Sequence, residues 1–233
     1  MKLVAISDTH NRHDMLNLPD DGIILHAGDA MTVGKQPQEL LQFAYWWNRL
    51  PQEKYYTPGN HDKFFDSARR EHWLTYKNMI TGIKIDETVQ IGNTKIWFSP
   101  WSNKFKDWSF MAPEERLEKI YQQIPANTNI IVTHGPAFGI LDRNRNGIPS
   151  GSTALALALM NLPDLKLVIC GHIHEGRGHL EKNGVVYMNA ANCGVPYSDF
   201  RPNPFVIDYD EHNNEVRSID EYRTSATAQN TCE

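Results

Sequence analysis

Short apolar runs separated by polar breaks organise this chain. KLVAIS at 2–7, IILHAG at 23–28, IIVT at 130–133 and LKLVIC at 165–170 are almost unbroken in strand-favouring residues. Runs of that length and composition predict strands buried on both faces, as parallel strands in α/β proteins are. YYT at 55–57 predicts a shorter one that breaks at Pro58-Gly59.

Helical periodicity fills the intervals. Leu40, Leu41, Phe43, Ala44, Trp47 and Leu50 form an apolar stripe that predicts a helix from Pro37 to Asn48, ended by Pro51. Two further helices are predicted over Pro113–Gln123 and 152–162. Gly92-Asn93, between runs 84–91 and 94–98, predicts a hairpin, and so does Lys182-Asn183-Gly184 before 185–189. Runs 205–209 and 215–219 predict a third antiparallel pair. Strands alternating with helices define the class as α/β. The closing stretch is polar and aperiodic, so one domain is expected over 1–221, with a polar tail over 222–233.

Composition narrows the function classes. At 233 residues, 40% hydrophobic and 22% charged, the chain has the make-up of an ordinary globular protein with a sizeable core. No run approaches the ~20 apolar residues of a membrane span, and the N-terminus meets Asp8 too early for a secretory signal. Cys170, Cys193 and Cys232 form neither an even disulfide framework nor a Cys-x-x-Cys pair, which suits a cytoplasmic location. The net charge of −5 argues against long nucleic acid as a partner.

The polar breaks carry the candidate chemistry. Five apolar runs end in metal-ligand residues: Asp8 and His10, Asp29, Asn60 and His61, His134, then His172 and His174. Asp8 and His10 alternate on an extended chain and can converge on one point. Gly28 allows a sharp turn before Asp29, whose two carboxylate oxygens can each serve one ion. His-x-His after a glycine at 171–174 is a reasonably specific metal signature. At Asn60-His61-Asp62 the competing reading is that Asn60 or Asp62 caps the segment that follows. The pattern predicts seven donors at one edge of one sheet, namely Asp8, His10, Asp29, Asn60, His134, His172 and His174.

Two loops flank these motifs. PWSNKFKDWSFM at 100–111 interleaves Trp101, Phe105, Trp108 and Phe110 with lysines. It reads either as a platform that stacks a base or as aromatics packed over the sheet. The long loop at 137–152 carries Arg143 and Arg145, and it reads either as a gate or as a solvated surface.

Taken together, SDTHNR, ILHAGD, TPGNHD, THGPAFGILD, GHIHEG and the MNAANC…NPFVID segment resemble the calcineurin-like metallophosphoesterase superfamily. Within it the chain most resembles the small MPPED-type metallophosphodiesterases, over about residues 3–208. The resemblance implies a four-layer α/β/β/α sandwich of two mixed β-sheets flanked by helices. It also implies two divalent ions, with Mn²⁺ or Fe favoured and Zn²⁺ or Ni²⁺ also compatible. One ion would take Asp8, His10, Asp29 and His174, and the other Asp29, Asn60, His134 and His172. The implied activity is hydrolysis of small phosphodiesters, cyclic nucleotides among them, by in-line attack of a metal-bridging hydroxide. The catalytic residues would be Asp29, His61 as proton donor to the leaving oxygen, and His10 in support. Substrate contacts would fall to Asn60, His61, Trp101, Trp108 and Arg143. A phosphomonoesterase, a nuclease-type activity and a non-catalytic scaffold are the alternatives. The superfamily's protein phosphatases follow Gly-Asp with Asp-Arg-Gly, whereas here Gly28-Asp29 runs into AMTVGKQ. The chain also lacks the added domain of the superfamily's nucleases. No membrane partner is expected.

Overall fold

The structure, a computed structural model, describes residues 1–69 and 71–223. The segment from 224 onward, most of the expected tail, lies outside the described residues. The first half holds β1 (Lys2–Ile6), β2 (Ile23–His26), α1 (Pro37–Arg49), β3 (Lys54–Tyr56) and α2 (Trp73–Asn78). Next come β4 (Glu87–Ile91), β5 (Thr94–Ser99), the short β6 (Ser102–Asn103) and β7 (Met111–Ala112), then α3 (Glu114–Tyr121). The second half holds β8 (Ile130–Thr133), α4 (Thr153–Leu159), β9 (Leu167–Cys170), β10 (Gly178–Lys182), β11 (Val185–Asn189), β12 (Phe205–Asp210) and β13 (Glu215–Glu221).

Two large sheets form. One runs β13-β12-β1-β2-β3, and the other runs β10-β11-β9-β8-β5-β4. Both are mixed. β1, β2 and β3 are parallel with β12 antiparallel to β1, while β5, β8, β9 and β11 are parallel with antiparallel β4 and β10 at the edges. The apolar runs lack a polar face because each central strand is covered on both sides. Leu3, Ala5 and Leu25 point between the sheets toward Phe98, Val132 and Ile169. Their neighbours Val4, Ile6 and Ile24 point the other way, onto Phe43 and Trp47 of α1. On the outer face of the second sheet, Ile131 and Val168 pack against Leu117 of α3 and Leu155 of α4. The result is helix, sheet, sheet, helix, as expected.

The three hairpins form at the expected turns. Asn183 and Gly184 both take positive φ, 53° and 74°, as a tight two-residue turn requires. Ser152 caps α4 from outside, accepting from Leu155 N at 3.1 Å. The helix α2 was not expected, since its six residues bury no side chain completely and show no stripe. One correction concerns the donors. Those after β1, β2 and β3 belong to one sheet, and those after β8 and β9 belong to the other. No helix among the described residues is long and apolar enough to cross a membrane.

Trp47 is fully buried, and its indole N–H donates to Thr81 O at 2.7 Å. Trp47→Ala should therefore cost about 3–5 kcal/mol by urea unfolding. Tyr45→Ala, two residues away on the exposed face, should stay within ~0.5 kcal/mol. Similar losses for the two would contradict this assignment of faces.

Candidate metal centre

Loops leaving the carboxyl ends of the strands zip together before any side chain is considered. Asp8 N donates to Gly28 O at 2.8 Å and His10 N to Asp29 O at 3.1 Å, while Gly171 N donates to His134 O at 3.0 Å. The two sheets are then joined, because His172 N donates to both Asp8 carboxylate oxygens at 3.1 and 3.0 Å. Close approach requires glycine at two points. A Cβ on Gly28, at φ 104°, would lie 2.6 Å from His134 Nδ1, and one on Gly171 would lie 2.1 Å from Asp8 Oδ2. Four candidate donors adopt left-handed backbone themselves: Asp8 (52°), His10 (42°), Asp29 (55°) and His172 (67°). Non-glycine residues there cost roughly 1–3 kcal/mol each, and such strain concentrates at functional sites.

Side chains of all seven expected donors are brought together from the two sheets. Asp8, His10 and His174 place ligand atoms within 4.8 Å of one another, and so do Asp29, His134 and His172. Asn60 joins the second group, its Oδ1 lying 2.9 Å from His134 Nε2. His10, Asp29 and His61 form a third set that overlaps both. Asp29 Oδ2 sits at the centre, 3.4 Å from His134 Nε2, 3.9 Å from His61 Nε2 and 4.0 Å from His10 Nε2.

The hydrogen bonds on the far side of each ring decide what these atoms offer. Nδ1 faces Met31 O at 3.0 Å in His10, Ala27 O at 2.9 Å in His134 and Gly194 O at 3.2 Å in His174. His61 Nδ1 faces Thr32 O in the same way. A carbonyl only accepts, so each Nδ1 carries a hydrogen, and in the neutral form of such a ring Nε2 points a lone pair inward. Nδ1 donating to a carbonyl is the usual habit of metal-ligating imidazoles. His10 Nε2 and His174 Nε2, both acceptors in that tautomer, face each other at 3.2 Å. Only a proton or a cation reconciles such contacts. The buried set of carboxylate, imidazole and amide donors fits divalent first-row metals.

The ionisation preferences agree. Burial alone would raise Asp8 and Asp29, but His174 and His134 respectively outweigh it and hold both carboxyls below the usual range. Burial opposes charge on His134 as well, yet Asp29 pushes it up to about 9. Burial lowers His10 to about 4 and His172 to about 3, leaving both as neutral donors.

The outer residues divide. Trp108 stacks on His61, with centroids 4.3 Å apart and planes 25° apart, and Lys63 Nζ lies 4.3 Å from the indole centre. Arg69 fixes that loop by donating to Trp108 O at 2.9 Å and pairing with Asp107 at 2.7 Å. Trp101 is employed elsewhere. Its N–H donates to Asp86 at 2.8 Å, its ring packs on Phe110, and Arg116 lies 4.7 Å above it. Arg143 donates to Gly147 O within its own loop at 2.7 Å, not to the clustered donors.

Two residues near the cluster were not among the expected site residues. Asp62 does not cap the next segment. It is buried and accepts from Gly59 N at 2.7 Å, Met31 N at 3.0 Å and Ala30 N at 3.3 Å, clamping the loop after β2 to the loop after β3. Burial, then the nearby Asp29 charge, push it up to about 6. The other residue is Tyr197, whose ring lies 4.7 Å from His10 and 5.1 Å from His174. Its only sequence signal was an aromatic within the polar stretch after Asn192-Cys193.

A helix-sheet-sheet-helix sandwich with paired donor clusters at one end is a scaffold able to hold metal ions. Residues 1–176 match the calcineurin-like phosphoesterase family, and the chain belongs to that family, which is dinuclear and metal-dependent. It is 31% identical to Metallophosphoesterase domain-containing protein 1 of Homo sapiens, covering 89% of this chain and 70% of that protein. A UPF0046 protein of Caenorhabditis elegans is 28% identical over 83% of this chain and 70% of its own length. In structure the chain resembles a phosphopantetheinyl hydrolase of Mycobacterium tuberculosis, with a TM-score of 0.57, 15% identity, and 84% and 90% of the two chains covered. A dimetal phosphatase from Danio rerio aligns with a TM-score of 0.55 and 10% identity, over 89% and 92% of the two chains. At these identities the structural neighbours establish the fold alone.

Asp29 is the donor common to the second and third clusters and faces the first through His10. Asp29→Ala should therefore lower metal content per chain more than any other single ligand change, as measured by inductively coupled plasma mass spectrometry. Retention of two ions in that variant would contradict a shared carboxylate.

Proposed function

We propose that the chain hydrolyses small phosphodiesters, cyclic nucleotides among the candidates, at a dinuclear centre held by Asp8, His10, Asp29, Asn60, His134, His172 and His174. The observation that carries this reading is the position of His61. It lies beside Asp29 at 3.9 Å, on the solvent side of the cluster, with its orientation fixed by Thr32 O and by the Trp108 stack. Two bound cations would supply Lewis acidity and an activated water. Asp29 would help hold both through its carboxylate. As water adds to phosphorus, the breaking P–O bond leaves its electron pair on the departing oxygen. In this role His61 acts as the imidazolium: Nε2 gives its proton to the departing oxygen, the proton lost by the attacking water restores it, and Nδ1–H stays on Thr32 O, so the ring does not turn during transfer. His10 lies edge-on to His61 at 4.9 Å and limits the ring's movement on the inner side.

Charge supports a diester over a monoester. A monoester is nearly a dianion at neutral pH and benefits from extra cations, whereas a diester carries one charge. Arg177 donates to Ala190 O, Ala191 O and Asn203 O and pairs with Glu221 at 2.8 Å, and Arg143 is held by Gly147 O. The net charge of −5 disfavours a long polyanion.

His61→Ala should keep both metals and lose ~10²–10⁴-fold in kcat, the range of a general acid. The loss should shrink for p-nitrophenolate, a leaving group that needs little protonation. An equal loss across leaving groups would assign His61 to phosphate binding instead. Wild-type kcat/KM should be higher for bis-p-nitrophenyl phosphate than for p-nitrophenyl phosphate, and the reverse order would make the chain a phosphomonoesterase.

A further inference from the structure

Four rings follow one another in contact at the metal centre. Centroids are 4.3 Å apart from Trp108 to His61, 4.9 Å from His61 to His10 and 4.7 Å from His10 to Tyr197. The two ends of the series differ. Trp108 is already engaged by His61 and by Lys63 Nζ. Tyr197 leans on His10 and His174 at 47° and 55°, and 44% of it remains exposed.

The loop that carries Tyr197 is built to hold it there. Gly194 N donates to Asp199 O at 2.6 Å, Asp199 N to Pro196 O at 2.9 Å, and Arg201 N to Asn192 O at 2.7 Å, closing the loop on itself. Its base is fixed to the site on two sides. Asn192 N donates to Ser7 O at 2.8 Å, next to Asp8, and Gly194 O faces His174 Nδ1 at 3.2 Å. These backbone bonds and the contacts with His10 and His174 place the Tyr197 ring at the site. Val195, 50% exposed, extends the apolar surface of this loop.

We infer that Tyr197 forms an organic-group subsite that takes the aryl or nucleobase substituent of the phosphodiester. The inference rests on the phosphodiesterase reading above. If His61 faces the departing oxygen, the substituent retained on phosphorus lies away from His61. Tyr197 stands beside His10 and His174, one ring further along the series of contacts from His61. An aromatic face there rewards a planar substituent by stacking.

The test uses inert ligands, so its result does not depend on turnover. Binding of diphenylphosphinate and dimethylphosphinate to the Mn²⁺-loaded protein is measured by isothermal titration calorimetry. Neither has an ester to cleave, and they differ only in their aryl groups. Wild type should prefer the diphenyl ligand by about tenfold or more, which one ring stack can supply. Tyr197→Ala should abolish that preference, leave dimethylphosphinate affinity within about twofold, and retain the wild-type metal content. Tyr197→Phe should keep the preference. A preference unchanged in Tyr197→Ala, or absent from wild type, would overturn the subsite. Loss of affinity for both ligands alike would overturn it too, by making Tyr197 a support for the metal centre. Failure of the diesterase reading shows separately, as faster turnover of the monoester than the diester by wild type.

Discussion

A buried carboxylate surrounded by imidazole lone pairs is the constraint on which the rest of this structure depends. Asp29 is 2% exposed, and Nε2 atoms of three histidines lie within 4.0 Å of its Oδ2. Backbone carbonyls occupy the outer nitrogen of each ring, so the inner nitrogens cannot all donate to it. Without positive charge such a cluster is a set of acceptors pressed together in a low-dielectric interior, an arrangement that costs several kcal/mol. Protonation of His134 is a partial answer, and its rise to about 9 reflects the demand. Divalent cations would satisfy these acceptors at once.

The fold exists around that demand in a definite way. Two sheets stacked face to face supply a rigid apolar body from Leu3, Leu25, Phe98, Val132 and Ile169. Loops at one end of it can then carry strain that the body over-determines. Left-handed Asp8, His10, Asp29 and His172 are the visible cost, and the Asp62 clamp and the Asn192 bonds to Ser7 are the visible supports. His61 belongs to the same economy of position. It is aimed by Thr32 O below and by Trp108 beside it, so neither contact needs substrate to be in place.

Much of this was legible in the sequence, and the rest was not for physical reasons. Apolar runs ending in Asp8, Asp29, Asn60, His134 and His172 mark strand ends directly, because a buried parallel strand carries few charged or metal-ligating residues until it leaves the sheet. The division of those strands between two sheets could not be read, since IILH and IIVT look alike and only pairing partners separate them. Trp101 and Trp108 were equivalent as letters. One indole N–H found Asp86 and the other ring found His61, a choice made by tertiary contacts alone. Tyr197 sits in a stretch with no periodicity, and backbone hydrogen bonds rather than side-chain pattern fix its loop.

The central claim is that one carboxylate, Asp29, is shared by two ions. Low-temperature electron paramagnetic resonance of protein loaded with two equivalents of Mn²⁺ tests it most directly, because a bridging ligand couples the two spins. The account predicts the multiline signal of an exchange-coupled Mn²⁺ pair, lost in Asp29→Ala. A spectrum of isolated, magnetically independent Mn²⁺ ions at full loading would contradict it.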